Sequence, residues 1–535
     1  MRRVTLAAFS LAALAAAGMA GSAGAKQVDG TVVNPGFEAD GGVATPSGWR
    51  DVGADGASFV EGGGHSGSWR LSHWSPNDYD VATTQTIRRL DNNGWYTLSV
   101  WTRRSAGQND SRITLACGRE PVSTVLPAQT TGWLRIVVSA QVRGESCEIS
   151  LSTKAGGGEW ANFDDVTLAS GRAALSVLGA DVSSLAKSED FGGVYREANG
   201  QARDPLRILR AHGLNWIRLR VWVNPADGYH DKAELLAIAR RAEALGLNVL
   251  VDLHYSDFWA DPGKQWTPDA WAGQTYDALK QTMVAYTRDV LGSLVAQGTP
   301  ADIVQLGNEI NPGLLWDYSA TWTGCSSADD GAGGTRTVCH TENWDHVADL
   351  LTAASNAVKS VSPTTKVMLH LANGGDNGTF RWWFDNVTQR GVPYDVIGVS
   401  HYVYWHGDFA ALQYNLDDIV GRYGKDVIVV ETAYPFTSED KDGWENIAPS
   451  AGTPLVPGYG ATPAGQAAMF RDVLSVVRAV PNGRGLGAFW WDATWTGVRG
   501  NGWTPRDPTQ GNAWENQALF GYDDRILPAA DELRP

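Results

Sequence analysis

From Ser176 onward, short runs rich in Val, Ile and Leu alternate with segments of helical period. The runs are apolar throughout rather than at every second residue, as in strands covered on both faces of a parallel sheet. Eight candidates can be placed: Val177–Asp181, Trp216–Trp222, Val249–His254, Ile303–Glu309, Lys366–Leu371, Val396–Tyr402, Val427–Glu431 and Leu486–Asp492. Helix signals lie between them. Asp204 followed by Pro205 opens one helix and Gly213 ends it. Asp231 to Glu234 has the form of a capping box, with Gly246 closing that helix. Asn343 to Ser360 carries an apolar 3.6-residue period. Eight βα units over about 350 residues predict a (β/α)₈ barrel with elaborated loops at 176–535. An open doubly wound sheet is the structural rival, but no Gly-rich phosphate loop follows the first strand.

The segment 28–168 reads differently. Short alternating strands such as Tyr96–Trp101, Ile113–Leu115 and Leu134–Val138 are separated by Gly, Asn and Asp clusters, and no helical period intervenes. An all-β sandwich is expected there, joined to the barrel by a brief linker at 169–175.

The chain starts Met1-Arg2-Arg3, continues as an Ala/Leu run and reaches Ala23-Gly24-Ala25, the pattern of a secretory signal peptide at 1–25. A membrane anchor is the alternative, but the apolar run is short and ends in small residues. The formal charge is −16, and removal of Arg2 and Arg3 makes it −18. Such an acidic surface repels nucleic acid. The 4 cysteines fall into two local pairs, Cys117 with Cys147 and Cys325 with Cys339, which in an exported chain read as disulfides. No Cys/His cluster has zinc spacing.

In a barrel of this kind, functional groups collect at the C-terminal strand ends. Asp181, Arg220, His254, Asn308, Glu309, His401, Tyr402, Glu431, Trp491 and Asp492 all end apolar runs. Folding alone accounts poorly for such a ring, because unpaired buried polar groups are costly. Glu309 ends the fourth strand and Glu431 the seventh, across the barrel mouth from each other. Two carboxyls facing one substrate are the equipment of glycoside hydrolysis, and their spacing decides between retention and inversion. The 24 tryptophans, many beside Gly or polar residues, offer flat faces that stack on sugar rings as well as pack cores.

Seven segments carry a resemblance: GADVSSL at 179–185, NWIRLRVWVNP at 215–225, VDLHYSDFWADP at 251–262, QLGNEINPGLLW at 305–316, VVET at 429–432, FWWDATW at 489–495 and NQALF at 516–520. The barrel region resembles the endo-β-1,4-galactanases of glycoside hydrolase family 53, within clan A. The resemblance implies Glu309 as acid/base and Glu431 as nucleophile of a retaining enzyme. It implies Asn308 on the hydroxyl beside the reacting carbon, and Arg220 beside Glu431 keeping it ionised. Arg218 shares the strand parity of Arg220 and could exchange roles with it. Tyr402 could donate to Glu431. Asp181, His254 and Trp491 would shape the sugar pocket, with Trp491 as its floor. Trp222, Trp259 and Trp316 would line an open groove for successive galactose units. Within the same fold, a mannanase or cellulase is the first rival, and a non-catalytic carbohydrate-binding protein is a rival of another class.

Asp440, Asp442 and Asn446 after the seventh strand suit calcium. Some bacterial galactanases of the family carry calcium in the matching loop, although Trp444 stands here where a histidine is expected. No cofactor is expected for catalysis. The N-terminal segments HWSPNDYDVATTQTI at 73–87, NNGWYTLSVW at 92–101 and NFDDVTL at 162–168 resemble galactan-binding modules of family 61. Trp74 and Tyr79 are the expected stacking platform, with Glu38 and Asp165 as a weak calcium pair. The partner implied is β-1,4-galactan, with no nucleic acid, no membrane and no second subunit, the chain acting as an extracellular monomer.

Overall fold

The computed structural model describes residues 31–128, 132–331, 333–502 and 509–534. The signal-peptide expectation falls on residues outside this set. No helix among the described residues is long and apolar enough to cross a membrane.

Eight parallel strands close into a barrel, labelled here β1 (Val177–Asp181), β2 (Trp216–Val221), β3 (Asn248–Leu253), β4 (Ile303–Leu306), β5 (Lys366–Leu371), β6 (Val396–Ser400), β7 (Asp426–Thr432) and β8 (Gly485–Trp490). Each expected strand is present, with ends shifted by a few residues. The open doubly wound rival is excluded by the closure of β8 onto β1. The expected helix starts also form. Asp204, Asp231 and Asn343 accept backbone N–H groups at the heads of helices Pro205–Ala211, Lys232–Glu243 and Trp344–Val361.

Strand parity explains why the barrel is solid below and chemical above. Val177, Leu250, Ile303, Met368, Val396, Ile428, Val430 and Phe489 form an interior apolar cluster. Two residues further along several of the same strands come Asp252, Gln305 and His370, so the inward face turns polar toward the C-terminal ends. The pairing of β7 with both neighbours shifts register near Val430 and Glu431. Val430 can therefore join the interior cluster while the adjacent Glu431 also reaches inward, which strict alternation forbids. Irregularities of this kind re-aim side chains beside active sites.

The N-terminal part forms two five-stranded antiparallel sheets with an apolar cluster between them. The expected pairs Cys117–Cys147 and Cys325–Cys339 are bonded, the second across a hairpin inserted after β4. The edge strand Leu134–Gln141 docks on the barrel helices Phe409–Tyr423 and Pro463–Ala479. Arg135 and Gln413 exchange two hydrogen bonds of 2.7 Å each, one in each direction. The Arg135 guanidinium reaches Asp417 at 2.9 Å and the Ala479 carbonyl at 2.7 Å. Leu134 is fully buried among barrel residues. The segment expected as a linker is also tied down, since the Ala173 N–H bonds to Thr97 and Ser139.

Candidate active site

Glu431 sits within β7, and its backbone is held by the barrel ladder. Glu309 lies three residues beyond β4, in a tight turn. Gly307 has φ of +76°, and a Cβ there would come within 2.5 Å of Ile310 Cγ2. Glu309 itself has φ of +47°, a strained conformation for a side-chain-bearing residue. Its backbone N–H is held by His370 Nδ1 at 3.3 Å. The turn aims the side chain back across the mouth, so that carboxylate oxygens of Glu309 and Glu431 lie within 4.8 Å of each other.

One guanidinium organises the charges around this pair. Arg218 is almost fully buried and reaches Asp181 at 2.9 Å, Asp252 at 2.8 Å and Glu431 at 2.9 Å. It also donates to Asn308 Oδ1 at 2.8 Å. The partner of Glu431 is therefore Arg218 and not Arg220. Arg220 instead pairs with Asp492 at 2.7 Å and donates to Ser184 at 2.7 Å. Parity sends both arginines inward, and reach along the barrel axis decides which carboxylate each one meets.

Two guanidiniums thus share the mouth with five carboxyls, those of Asp181, Asp252, Glu309, Glu431 and Asp492. Burial pushes both glutamates up from the usual carboxylate range. For Glu431 the Arg218 charge and the Tyr402 hydroxyl, which donates at 3.0 Å, work against burial. For Glu309 the Glu431 charge adds to burial. The proton of the pair therefore resides on Glu309, and Glu431 is the ionised member. Burial and the Glu431 charge keep the Tyr402 phenol well above its ordinary value, so it stays a donor.

The carboxyl pair opens into a cleft of about 330 Å³ lined by Arg218, Arg220, His254, Trp259, Asn308, Tyr402, Trp405, His406, Trp491 and Trp514, among others. His254 accepts from Trp222 Nε1 at 3.1 Å through Nδ1, so its Nε2 carries the proton toward Asp252 at 3.0 Å. Three expected contacts are corrected. Asp181 is fully buried beneath the cleft as an ion-pair partner. Trp222 is core, spending its N–H on His254. Trp316 is 1% exposed and packs edge-on against Trp266, with centroids 5.4 Å apart. Trp259 and Trp491 do line the cleft, and the Arg220 guanidinium lies 4.2 Å from the centre of the Trp259 ring. Trp405, 41% exposed at the rim, and Trp514 were not foreseen. Trp405 lies only three residues past Tyr402, a hint available in the sequence.

Residues 177–533 match glycosyl hydrolase family 53. The chain belongs to that family. This glycoside hydrolase is 40% identical over 358 residues to an uncharacterized protein in the bgaB 5′ region of Niallia circulans, covering 67% of the chain and 93% of the relative. It is 37% identical over 331 residues to the arabinogalactan endo-β-1,4-galactanase of Thermothelomyces thermophilus, covering 60% of the chain and 90% of the relative. The solved GH53 catalytic domain of Ignisphaera aggregans is 37% identical, with a TM-score of 0.60, covering 68% of the chain and 96% of that structure.

Two further features of the hydrolase lie outside the cleft. Asp440, Asp442 and Glu515 bring carboxylate oxygens within 4.8 Å of one another. Asn446, in the same loop, has its side-chain oxygen buried without a donor among the described residues. Its amide N–H donates to the Glu439 carbonyl at 2.9 Å. Glu515, distant in sequence, supplies the third acid. Its Oε2 is buried without a donor among the described residues, and burial with the Asp442 charge pushes its carboxyl up to about 7. On the sandwich, a groove of about 440 Å³ is lined by Phe59, Glu61, Arg70, Ser72, Trp74, Arg103, Trp160 and Asn162. Trp74 is 41% exposed there. Tyr79 belongs to the other sheet, is buried, and donates to the His73 and Glu159 carbonyls, so it is no stacking platform. Glu38 accepts from the Ser68 and Trp69 N–H groups, and Asp165 pairs with His65 in the same loop.

Replacing Tyr402 with Phe removes a hydrogen bond that favours the ionised form of Glu431. The pKa of Glu431 should rise, so the acidic limb of the kcat/KM–pH profile should move upward by about 0.5–1 unit. A profile with an unmoved acidic limb would show that the phenol does not tune this carboxylate.

Proposed function

We propose that the chain is a secreted endo-β-1,4-galactanase that cleaves internal galactosidic bonds with retention of configuration. In the first step Glu431 attacks the anomeric carbon while Glu309 gives its proton to the departing glycosidic oxygen. The galactosyl–Glu431 ester is then hydrolysed by water, from which Glu309, now ionised, takes a proton. The observation that carries this reading is the close carboxyl pair, with oxygens of Glu309 and Glu431 within 4.8 Å of each other. A separation below about 5.5 Å suits retention, since an inverting enzyme needs about 6.5–9.5 Å to admit water. The substrate reading draws support from the Thermothelomyces thermophilus relative and from a Bacillus subtilis relative named endo-beta-1,4-galactanase, 33% identical over 387 residues.

The residues around the pair have consistent parts. Arg218 and Tyr402 hold Glu431 ionised and oriented. To Asn308, fixed by Arg218 and by its own donation to the Ala260 carbonyl at 2.8 Å, we assign the hydroxyl next to the reacting carbon. Trp491 and Trp259 offer apolar walls, and exposed Trp405 extends the surface outward for a polymer. His370 lies within 4.8 Å of both glutamates, but its two nitrogens are committed to protein partners, so we read the cluster as an acid pair and not as a metal centre.

Secretion draws support from the leader pattern and from the two disulfides. The sandwich groove, with Trp74 and Trp160 beside Arg70, Arg103, Glu61 and Asn162, has the flat rings and fixed polar groups of a sugar-binding surface, and we assign it galactan as ligand. The trio Asp440, Asp442 and Glu515 suits calcium by its all-oxygen donors and by the orphaned Glu515 oxygen.

On linear galactan, the enzyme should release oligosaccharides whose first-formed anomer, read by proton NMR, is β. An α product would overturn retention, and release of galactose alone would overturn endo cleavage. Glu309→Gln should lower kcat by about 10²–10⁴-fold while galactan binding persists. Trp74→Ala should weaken retention on insoluble galactan in a pull-down assay and leave kcat on short oligosaccharides unchanged. Calcium should raise the melting temperature. The gain should fade as pH falls through about 7, where Glu515 takes up a proton, and vanish in Glu515→Gln. A melting curve indifferent to calcium and chelator would dismiss the site.

A further inference from the structure

Next to Glu309 lies a buried pair of polar residues that the reaction as described does not use. His370 projects inward from β5 and Ser400 ends β6, and both are fully buried. Room for the imidazole comes from Gly398, its register partner on β6, where a Cβ would lie 3.3 Å from His370 Cβ. His370 Nδ1 faces the Glu309 backbone N–H at 3.3 Å and the Gln305 amide Nε2 at 2.9 Å. His370 Nε2 lies 2.8 Å from Ser400 Oγ.

The protons on this chain can be assigned. Gln305 Nε2 also donates to Asp252 at 2.7 Å and to the Gly307 carbonyl at 3.0 Å, so it is the amino end of that side chain. With both Gln305 amide protons taken up there, the donor that Nδ1 meets is the Glu309 backbone N–H. The one acceptor near Nδ1, Asn308 Oδ1 at 3.1 Å, already receives an N–H from Arg218 at 2.8 Å. A proton on Nδ1 would leave the buried Glu309 N–H without a partner, which is unfavourable. Burial and the Arg218 charge keep the ring neutral. The one ring proton thus sits on Nε2 and points at Ser400 Oγ, which frees the serine hydroxyl proton for an acceptor. That proton is then available to the Glu309 carboxyl, whose ionised form a bond from Ser400 favours.

We propose that His370 and Ser400 are positioning residues for Glu309, His370 pinning its strained backbone and, through Ser400, directing a hydrogen bond onto its carboxylate. The proposal rests on the acid/base reading of Glu309. It answers a difficulty in that reading, because the environment that keeps Glu309 protonated for the first step opposes the carboxylate needed in the second. Facing Glu309 are Glu431 from β7, Asp261 from the loop after β3, Arg218 from β2, and Tyr402 beyond β6. Among these, the two acids disfavour its ionisation and Arg218 favours it. The Ser400 hydroxyl adds a second group that favours the anion without adding a charge. In the ester intermediate Glu431 has lost its charge, and the bond from Ser400 then helps Glu309 serve as base.

The test is a carbon-13 NMR titration of glutamate-labelled enzyme, with Glu309→Gln to assign the resonance. Ser400→Ala should raise the pKa of Glu309 by about half a unit or more. His370→Asn retains an acceptor near the Nδ1 position and lacks the Nε2 donor, so it should give a shift of the same sign. Together the two changes should shift Glu309 no further than one alone. Ser400→Thr, which restores the hydroxyl, should restore the value. With an aryl galactoside whose leaving group needs no protonation, Ser400→Ala should lower kcat more than it changes KM. An unmoved or lowered Glu309 pKa in folded Ser400→Ala, or shifts that add independently, would overturn the relay. The titration reads Glu309 whatever reaction it serves, so failure of the galactanase reading and failure of the relay are separately visible.

Discussion

The buried guanidinium of Arg218 is the constraint on which the mouth of this barrel depends. Three carboxylates from β1, β3 and β7 converge on it within 2.9 Å. Without that cation, the inward faces of these strands would place mutually repelling charges in a space nearly closed to water. Burying one unpaired carboxylate is already expensive, and the usual outcome is protonation. The guanidinium's planar fork matters as much as its charge, since it meets several acceptors at once where an ammonium offers a single point. By satisfying Asp181, Asp252 and Glu431 together, Arg218 leaves Glu309 as the carboxyl with the least electrostatic support. The electrostatic difference between the two glutamates follows from which of them the arginine touches.

Much of this was legible from residues alone. A glutamate at the end of an apolar β-branched run has no place in a core, so Glu309 and Glu431 stand out in the sequence itself. The barrel was legible because its strands are buried on both faces and interrupted by clean helix caps. Which arginine meets Glu431 was hidden, because Arg218 and Arg220 share parity and differ only in height along the axis. The tryptophans were hidden for a related reason. Trp316 and Trp405 both follow strand-end motifs, yet one is sealed under an inserted hairpin and the other stands at the rim. That difference arises from packing between segments distant in sequence. Glu515 escaped notice for the same reason, since its fellow acids Asp440 and Asp442 lie in a different loop. Tyr79 misled because alternation within a strand gives two faces but does not say which one meets the opposing sheet.

The sandwich contributes more than an appended surface. Its edge strand shares Leu134 with the barrel core and exchanges paired hydrogen bonds with the helix between β6 and β7. That helix and its successor flank the strand that carries Glu431. The groove around Trp74 lies on the same sheet as the docking strand and reaches, through Arg103, the strand Trp95–Arg104 that pairs with it. Rigid connection of this kind limits how far the groove can swing relative to the barrel, which a long flexible linker would not do.

The backbone at Glu309 shows how the fold accepts local strain for placement. An unstrained extension of β4 would carry the side chain up and out along the strand axis. The turn through Gly307 instead folds it across the mouth, and the positive φ of Glu309 is an unfavourable consequence of order 1–3 kcal/mol. Such a conformation persists only if its surroundings over-determine it. They do so here from two sides, with the Gln265 amide on the Asn308 and Glu309 carbonyls and His370 on the Glu309 N–H. Hydrogen bonds to the backbone, rather than packing of the side chain, therefore fix the acid in place. That leaves its carboxyl free to change protonation and partners during a reaction while its anchor does not move.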